Sequence, residues 1–129
     1  DQCAVIDGRV LGKPGGFERA FEQLRASSGR AVRFETGLCV VDAASGRAEV
    51  DCVPFEVGFR ALDDARIRNY LLREQPWNCA GSFKSEGLGI TLFRHLRGDD
   101  PTALIGLPLI RLVSMLEAFG LVLPLPPED

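Results

Sequence analysis

Lysine is scarce in this sequence: of the 15 basic residues only Lys13 and Lys84 are lysines, and the others are arginines. No apolar run approaches the roughly 18 residues that a membrane-spanning helix needs. The formal net charge of −3 argues against partners attracted by bulk positive charge, which are nucleic acids and anionic membrane surfaces. We therefore expect a cytoplasmic protein with no nucleic-acid partner and no membrane partner, and each lysine becomes a residue of interest.

Cysteine pairs with metal-ligand spacing are also absent. Cys3, Cys39, Cys52 and Cys79 are far apart and form no Cys-x-x-Cys motif. This spacing argues against a zinc site and against a secreted disulfide scaffold. Three of the four lie in apolar or strand-like runs, where free cysteine behaves as a small hydrophobic residue. We expect reduced thiols in the core.

The length of 129 residues predicts one domain, and 46% hydrophobic residues are typical of an ordinary globular chain. Strand-like and helix-like segments alternate along it, which indicates an α/β or α+β class. The predicted elements are a strand at 3–6 closed by an Asp7-Gly8 hairpin turn, a helix from Phe17 to about 27, a long hairpin of strands near 32–40 and 48–59, a helix capped by Asp63 and stopped at Gln75-Pro76, and a last helix from about Leu107-Pro108 to Gly120.

Three local predictions are more specific. Apolar residues alternate up to Cys52 and resume out of phase at Phe55, so we predict a β-bulge beside Pro54. The run 88–96 is apolar with β-branched residues and predicts one strand or two short ones. The last helix is predicted to bury Leu109, Leu112, Val113 and Leu116, followed by a loose proline-rich tail at 123–129.

The stretch 78–87, Asn-Cys-Ala-Gly-Ser-Phe-Lys-Ser-Glu-Gly, is the most informative. Gly81 and Gly87 permit tight turns, and the small neighbours leave the main chain accessible to a ligand. If the stretch is extended, alternation places Lys84 and Glu86 on one face. The alternative is a polar surface loop with an incidental ion pair.

Five residues are candidates for chemistry because they lie at strand ends or in glycine-rich loops: Asp1, Asp7, Lys13, Lys84 and Glu86. Carboxylates hold hard divalent cations or accept a proton from water. Lysine supplies a point charge to phosphate oxygens. The segment Gly12 to Gly16 precedes a helix, where backbone amides can face an anion, but it is no Walker motif.

The remaining polar and aromatic candidates favour structural roles. His95 is the single histidine and has no serine or cysteine nucleophile nearby in sequence. Trp77 follows a proline at a loop entrance, where a tryptophan more often fills the core than stacks on a base.

Four motifs together resemble the Maf-like nucleotide pyrophosphatases, in the same order and rough spacing. They are Asp1-Gln2, Gly12-Lys13-Pro14, the loop 79–87 and Ile105-Gly106-Leu107-Pro108-Leu109. The match extends over nearly the whole chain except the tail. The form Gly-Ser-Phe-Lys-Ser-Glu-Gly resembles the branch of the family that acts on 7-methyl-GTP, whereas the branch that prefers dTTP and UTP has an Ile-Gln-Gly loop.

This resemblance implies an α/β fold of the Maf/ITPase type, with a mixed twisted sheet flanked by helices. It implies a house-cleaning hydrolase that cleaves a nucleoside triphosphate between the α and β phosphates and uses a divalent metal, Mg or Mn. Asp1 matches the family's proton acceptor, and Asp1 and Glu86 are the implied metal ligands. Gln2 and Glu86 match positions associated with substrate choice, Lys13 faces the phosphates, and Lys84 lies near them.

The same resemblance also raises expectations about what the chain lacks. Family members begin with a strand and helix that carry a Ser-x-Ser-x-x-Arg-Arg phosphate loop, and this sequence opens at the aspartate. Residues 1–129 would then be the C-terminal two thirds of the domain, weakly active or inactive alone. A catalytically incomplete nucleotide-binding or dimerising module is the alternative function, and a homodimer is left open.

Overall fold

The computed structural model describes residues 1–128, in which strands and helices alternate. The strands are β1 (Gln2–Ile6), β2 (Arg9–Leu11), β3 (Ala31–Val41), β4 (Ala48–Phe59) and β5 (Phe93–Arg97). The α-helices are α1 (Phe17–Ser27), α2 (Asp64–Glu74), α3 (Thr102–Ile105) and α4 (Leu109–Ala118), with 3₁₀ turns at Ala80–Ser82 and Leu88–Leu92. The α/β class is confirmed.

The five strands form one sheet in the order β2-β1-β3-β4-β5. Every pairing in the described part of the chain is antiparallel. β3 and β4 pair without interruption from Ala31↔Gly58 to Val41↔Ala48, and this hairpin is the longest part of the sheet. No helix within residues 1–128 is long and apolar enough to span a membrane.

Local sequence rules explain several element boundaries. Asp7 and Gly8 have φ values of 47° and 76°, the left-handed pair that a two-residue hairpin turn requires. The Asp63 carboxylate accepts a 2.8 Å hydrogen bond from the backbone N–H of Arg66 and caps α2. α2 ends as predicted, because Gln75 turns into the left-handed region one residue before Pro76.

The hydrophobic core lies on one face of the sheet, because alternate strand residues point to the same side. Ile6, Val32 and Val57 are 0–1% exposed on this face. α1 and α2 cover it with Leu24, Ile67 and Leu71, which are fully buried. The helices therefore hold the loop that follows α2 against the sheet.

The predicted β-bulge beside Pro54 is wrong. Pro54 pairs regularly with Glu35, and the irregularity lies at Gly58/Phe59 opposite β5. β5 pairs with β4 only from Glu56 onward, so Pro54 borders an open edge where a missing N–H costs no ladder bond. The phase of β4 is unbroken, and Val50, 75% exposed, faces outward with Cys52.

The cysteines are free thiols, as expected, but they are not core residues. Cys39 and Cys52 are exposed, and Cys3 and Cys79 are half-buried. In the strands that contain cysteines, the cysteine side chains are on the face of the sheet opposite to the core. The sequence thus correctly placed Cys3, Cys39 and Cys52 in strands, but on the wrong face of the sheet. Cys79 lies in the loop after α2.

The C-terminal part differs from prediction in detail. Residues 88–92 are a 3₁₀ turn, so only the second half of the predicted strand forms β5. α3 was not predicted, and in α4 the buried residue is Met115, while Leu109 is 48% exposed. Gly120, with φ 90°, ends α4 as predicted. Residues 120–128 form neither helix nor strand, and residue 129 of the predicted tail lies outside the described residues.

Candidate active site

A cavity of about 80 Å³ contains three of the predicted site residues. Gln2, Lys84 and Glu86 line it, with walls from β1, β3, the loop 79–86 and α3. The remaining lining residues are Phe34, Cys79, Ala80, Phe83, Ser85, Leu104 and Ile105. A larger cavity of about 400 Å³ lies beside α1 and Arg68 and holds none of the predicted residues, so the chemistry points to the smaller one.

Phe83 fixes the loop to the core. Its ring makes edge-to-face contacts with Phe34, Phe59 and Phe93 at centroid distances of 5.1–5.4 Å. The chain reaches this position through Gly81 and Ser82, which have φ values of 79° and 69°. Lys84 therefore follows a residue that is locked in the core, and its backbone N–H donates a 2.9 Å hydrogen bond to the Tyr70 hydroxyl.

The segment after Lys84 turns back on itself and is not extended. The Lys84 carbonyl accepts hydrogen bonds from the backbone N–H groups of Gly87 and Gly89, at 3.3 and 3.1 Å. A Cβ at Gly89 would lie 2.2 Å from the Lys84 carbonyl oxygen, so glycine is required there. Lys84 and Glu86 still share the cavity, through a turn and not through the predicted strand alternation.

Glu74, at the end of α2, holds the far side of this turn. Its carboxylate accepts a 2.9 Å hydrogen bond from the backbone N–H of Leu88. A Cβ at Gly87 would lie 2.0 Å from the same carboxylate, so the missing side chain makes room for it. The loop is thus tied to α2 both at Tyr70 and at Glu74.

Gln2 joins the first strand to α3. Its side-chain nitrogen lies 3.0 Å from the carbonyl oxygens of Ala103 and Leu104 and 3.1 Å from the Thr36 hydroxyl. The Thr36 hydroxyl donates in turn to the Ala103 carbonyl. The nitrogen is thus committed to the protein, and the Gln2 side-chain oxygen is the end that is left for a ligand.

Lys13 does not line the cavity, but its segment is bonded to the loop after α2. The backbone N–H of Gly15 donates a 2.9 Å hydrogen bond to the Trp77 carbonyl, which joins the Gly12–Gly16 segment to the loop after α2. Burial raises the pKa of the Cys79 thiol; the charges of Lys84 and Lys13 lower it, and Glu86 raises it. The charges of Lys84 and Glu86, which line the cavity, thus act on this thiol in opposite directions.

Asp1 precedes β1 and is exposed. Its carbonyl accepts a 2.7 Å hydrogen bond from the Gly37 backbone N–H, which extends the β1–β3 pairing by one residue. Asp1 is not among the residues that line the cavity. Its assignment as the base, and the assignment of Asp1 and Glu86 as metal ligands, stay predictions.

Three other candidates lie outside this site. Asp7 pairs with Arg30 at the opposite end of β1 from Gln2. Trp77 packs edge-on against Phe17 with ring centroids 6.3 Å apart, which is the structural role that the sequence favoured. His95 lies 2.9 Å from the Glu56 carboxylate and over Gly58, away from the cavity.

Sequence reasoning missed Tyr70, Glu74 and Gln23, whose side chains bind the site loops. Tyr70 lies on the apolar face of α2, and a tyrosine on a core face needs a partner for its hydroxyl. This requirement could have predicted a hydrogen bond from a neighbouring loop to the Tyr70 hydroxyl. Nothing local marked Glu74 or Gln23.

The chain is a member of the Maf-like family: the family model described as "Maf-like protein" matches residues 1–119. It is similar to a protein from Pseudomonas syringae pv. syringae named 7-methyl-GTP pyrophosphatase, with 59% identity over 124 residues, 96% of this chain and 65% of that protein. Proteins of the same name from Nitrosococcus oceani and Alcanivorax borkumensis are each 58% identical over 93% and 97% of this chain. The chain spans 60–65% of the length of these curated relatives.

Proposed function

We propose that the protein is a nucleoside triphosphate pyrophosphatase that cleaves 7-methyl-GTP between its α and β phosphates. The products are 7-methyl-GMP and pyrophosphate. The observation that carries this proposal is that Lys84 and Glu86 line one cavity. The segment that contains Lys13 is joined to the loop after α2 by the hydrogen bond from Gly15 to Trp77. The names of the relatives support the choice of substrate.

The charges suit the two ends of this substrate. Lysine ammonium groups stabilise the negative charge that grows on the departing pyrophosphate. A guanine methylated at N7 carries a positive charge, which the Glu86 carboxylate attracts. The cavity of about 80 Å³ is far smaller than the roughly 300 Å³ at which small-molecule pockets begin. Most of the substrate therefore lies outside this cavity.

In the proposed reaction a water oxygen attacks the α phosphorus while the bond to the bridging oxygen breaks. Asp1 accepts the proton of that water, as the family motif implies. The electron pair of the broken bond stays with the pyrophosphate, beside the lysines.

A divalent cation is the proposed cofactor. No group of three or more His, Cys, Asp or Glu side chains that could hold a metal occurs among residues 1–128. Magnesium in phosphate enzymes uses one or two carboxylates and completes its shell with water and phosphate, so the oxygens of Asp1 and Glu86 fit it. The cation would neutralise phosphate charge. We propose the cytoplasm as the location.

The test is pyrophosphate release from 7-methyl-GTP, GTP and UTP with magnesium, by the complete product of the reading frame and by the 129-residue chain. Asp1→Asn is compared with Asp7→Asn, a matched change at the other end of β1. We expect turnover to favour 7-methyl-GTP by about tenfold or more. Asp1→Asn should abolish it, and Asp7→Asn should leave it unchanged.

A non-catalytic nucleotide-binding module is the second candidate, because Asp1 does not line the cavity and the cavity is small. Binding of 7-methyl-GTP with no pyrophosphate release, in both the complete product and the chain, would establish this second function. Failure to bind any triphosphate would refute both.

A further inference from the structure

We infer that Gln23 is a positioning residue that holds the backbone segment of Lys13 in a fixed position relative to the loop that carries Lys84. Gln23 is on α1 and is half-buried. Its amide nitrogen donates a 3.0 Å hydrogen bond to the Gly12 carbonyl. Its amide oxygen accepts a hydrogen bond from the Ser82 hydroxyl, at 2.5 Å. One side chain thus joins the segment that carries Lys13 to the loop that carries Lys84.

The attachment points lie next to the lysines. Gly12 directly precedes Lys13, and Gly15 on the other side is bonded to Trp77. Lys13 is therefore held between two anchors, both of which lead to the loop after α2. Its own side chain is exposed and free to meet an anion.

The Lys84 side of the bridge is equally constrained. Ser82 is fully buried, has φ 69°, and finds its hydroxyl partner in Gln23. A non-glycine residue in this conformation persists only when surrounding contacts hold it. Phe83 in the core and Tyr70 at the Lys84 amide complete the anchoring.

Fixed backbone positions for two lysines favour the binding of a chain of phosphates. Each flexible lysine that must be ordered on binding loses conformational entropy, and preorganised segments reduce that loss. Gln23 touches neither a substrate nor a reacting atom in this scheme. It acts through Gly12 and Ser82, and this role in phosphate recognition rests on the proposed function.

Two substitutions of Gln23 and one control distinguish the hydrogen bond to Gly12 from the hydrogen bond with Ser82. Gln23→Ala removes both hydrogen bonds. Gln23→Glu keeps an oxygen for the Ser82 hydroxyl but cannot donate to the Gly12 carbonyl. Glu22→Ala is the matched control, because Glu22 is the exposed neighbour on the same helix.

The first readout needs no ligand. Amide hydrogen exchange is measured at Gly15, at Lys84 and at Val57 in the middle of the sheet. We expect Gln23→Ala to raise exchange at Gly15 and Lys84 about fivefold, the value of one ordinary hydrogen bond, and to leave Val57 unchanged. Gln23→Glu should affect Gly15 alone. An increase shared equally with Val57, or no increase at the two loops, would overturn the proposal.

The second readout uses the scarcity of lysine. Reductive ¹³C-methylation labels Lys13, Lys84 and the N-terminal amine, and arginine substitutions assign the two lysine signals. On titration with inorganic tripolyphosphate, both signals should shift with one midpoint in the native chain. Gln23→Ala should raise that midpoint about fivefold.

The two readouts fail separately. If tripolyphosphate moves neither lysine signal in the native chain, the proposed phosphate role of the lysines is wrong, and the exchange data still decide whether Gln23 positions the loops. If the native signals shift together and Gln23→Ala leaves the midpoint unchanged, the bridge does not serve phosphate recognition and the inference fails.

Discussion

The backbone N–H of Lys84 donates a 2.9 Å hydrogen bond to the hydroxyl oxygen of Tyr70. Tyr70 is 4% exposed, and burial raises the pKa of its phenol well above the usual value. The hydrogen bond from Lys84 acts in the opposite direction, and Glu74, Cys79 and Glu86 raise the pKa further. A neutral phenol is therefore the form that holds the loop.

Replacing Tyr70 with phenylalanine should lower the free energy of unfolding by about 1–3 kcal/mol, because the Lys84 N–H loses its partner. Urea denaturation measures this change, with Asn69→Ala on the exposed side of α2 as control. A Tyr70→Phe chain as stable as the native one would mean that water replaces the hydroxyl.

Tyr70 is the single tyrosine of the chain, so absorbance at alkaline pH reports its ionisation directly. Because the pKa is raised in the folded state, the native chain keeps the phenol proton at pH values above about 10, where the unfolded chain loses it. The resulting stability is complete below pH 10 and is lost as pH rises through the folded pKa. We expect phenolate absorbance to appear only above the ordinary range. Ionisation near pH 10 without unfolding would contradict the burial of Tyr70.

Two glycines of the loop should respond differently to alanine. A Cβ at Gly89 would meet the Lys84 carbonyl at 2.2 Å, and a backbone oxygen cannot move aside cheaply. At Gly87 the clash is with the tip of the Glu74 side chain, which can rotate away at the loss of one hydrogen bond. We expect losses in the free energy of unfolding of about 3 kcal/mol for Gly89→Ala and about 1 kcal/mol for Gly87→Ala.

Gly12→Ala is the control for this pair, since a Cβ there meets no heavy atom within 4 Å. Denaturant unfolding of the three variants ranks their losses in the free energy of unfolding, which should be largest for Gly89→Ala and smallest for Gly12→Ala. Equal losses for Gly87→Ala and Gly89→Ala would show that the turn at Lys84 adjusts freely.

Asp100 joins the turn after β5 to both C-terminal helices. Its carboxylate accepts hydrogen bonds from the Thr102 N–H, at 3.0 Å, and from the Ile110 N–H, at 2.9 Å. Burial by itself raises the pKa of this group, but the hydrogen bonds from Thr102, Ile110 and Arg111 together hold the pKa below its usual value. The stability it contributes is present above the unfolded pKa of about 4 and is lost as pH falls through the lowered folded pKa.

Asp100→Asn should therefore lower the free energy of unfolding by about 2 kcal/mol at neutral pH. It should also make the free energy of unfolding depend less on pH below pH 7. Urea unfolding between pH 7 and pH 3 measures both effects. The adjacent Asp99 is exposed, so Asp99→Asn is the natural comparison and should change little. If the free energy of unfolding of Asp100→Asn falls with decreasing pH as steeply as that of the native chain, other carboxylates cause this fall.

Glu86→Gln tests the choice of base. Removing the negative charge should weaken the preference for 7-methyl-GTP over GTP by about tenfold, because only the methylated base is cationic. Glu22→Gln, remote on α1, should leave the preference unchanged. Calorimetric titration with both nucleotides gives the ratio of affinities, and an unchanged ratio would remove Glu86 from base recognition.

Rules that act over a few residues predicted much of the fold. The Asp7-Gly8 turn, the Asp63 cap and the stop at Pro76 each follow from the backbone preferences of the residues involved. The long hairpin followed from alternation, and only the phase predicted for residues 48–52 was wrong. Asp51 lies on the same face of β4 as Phe55 and pairs with Arg111 of α4, and no local pattern shows which helix packs there.

Site residues that belong to one loop could be predicted from the sequence, whereas contacts between elements distant in the sequence could not. Lys84 and Glu86 stand in a recognisable motif, and the structure places them together with Gln2. The bridge from Ser82 to Gln23 joins residues 59 positions apart, so its existence depends on how α1 packs against the loop. A glutamine on a helix has no spacing that reveals such a partner.

The hydrogen bond from Gln2 to the Ala103 carbonyl joins residues 101 positions apart in the chain. The loop-closure entropy of such a contact is lost before the contact contributes any stability, so we expect it to form late in folding. The cavity wall made by α3 should accordingly assemble after the sheet and detach before it. Partial opening of the last third of the chain would then abolish ligand binding while the long hairpin stays intact, so the site and the sheet would have different local stabilities.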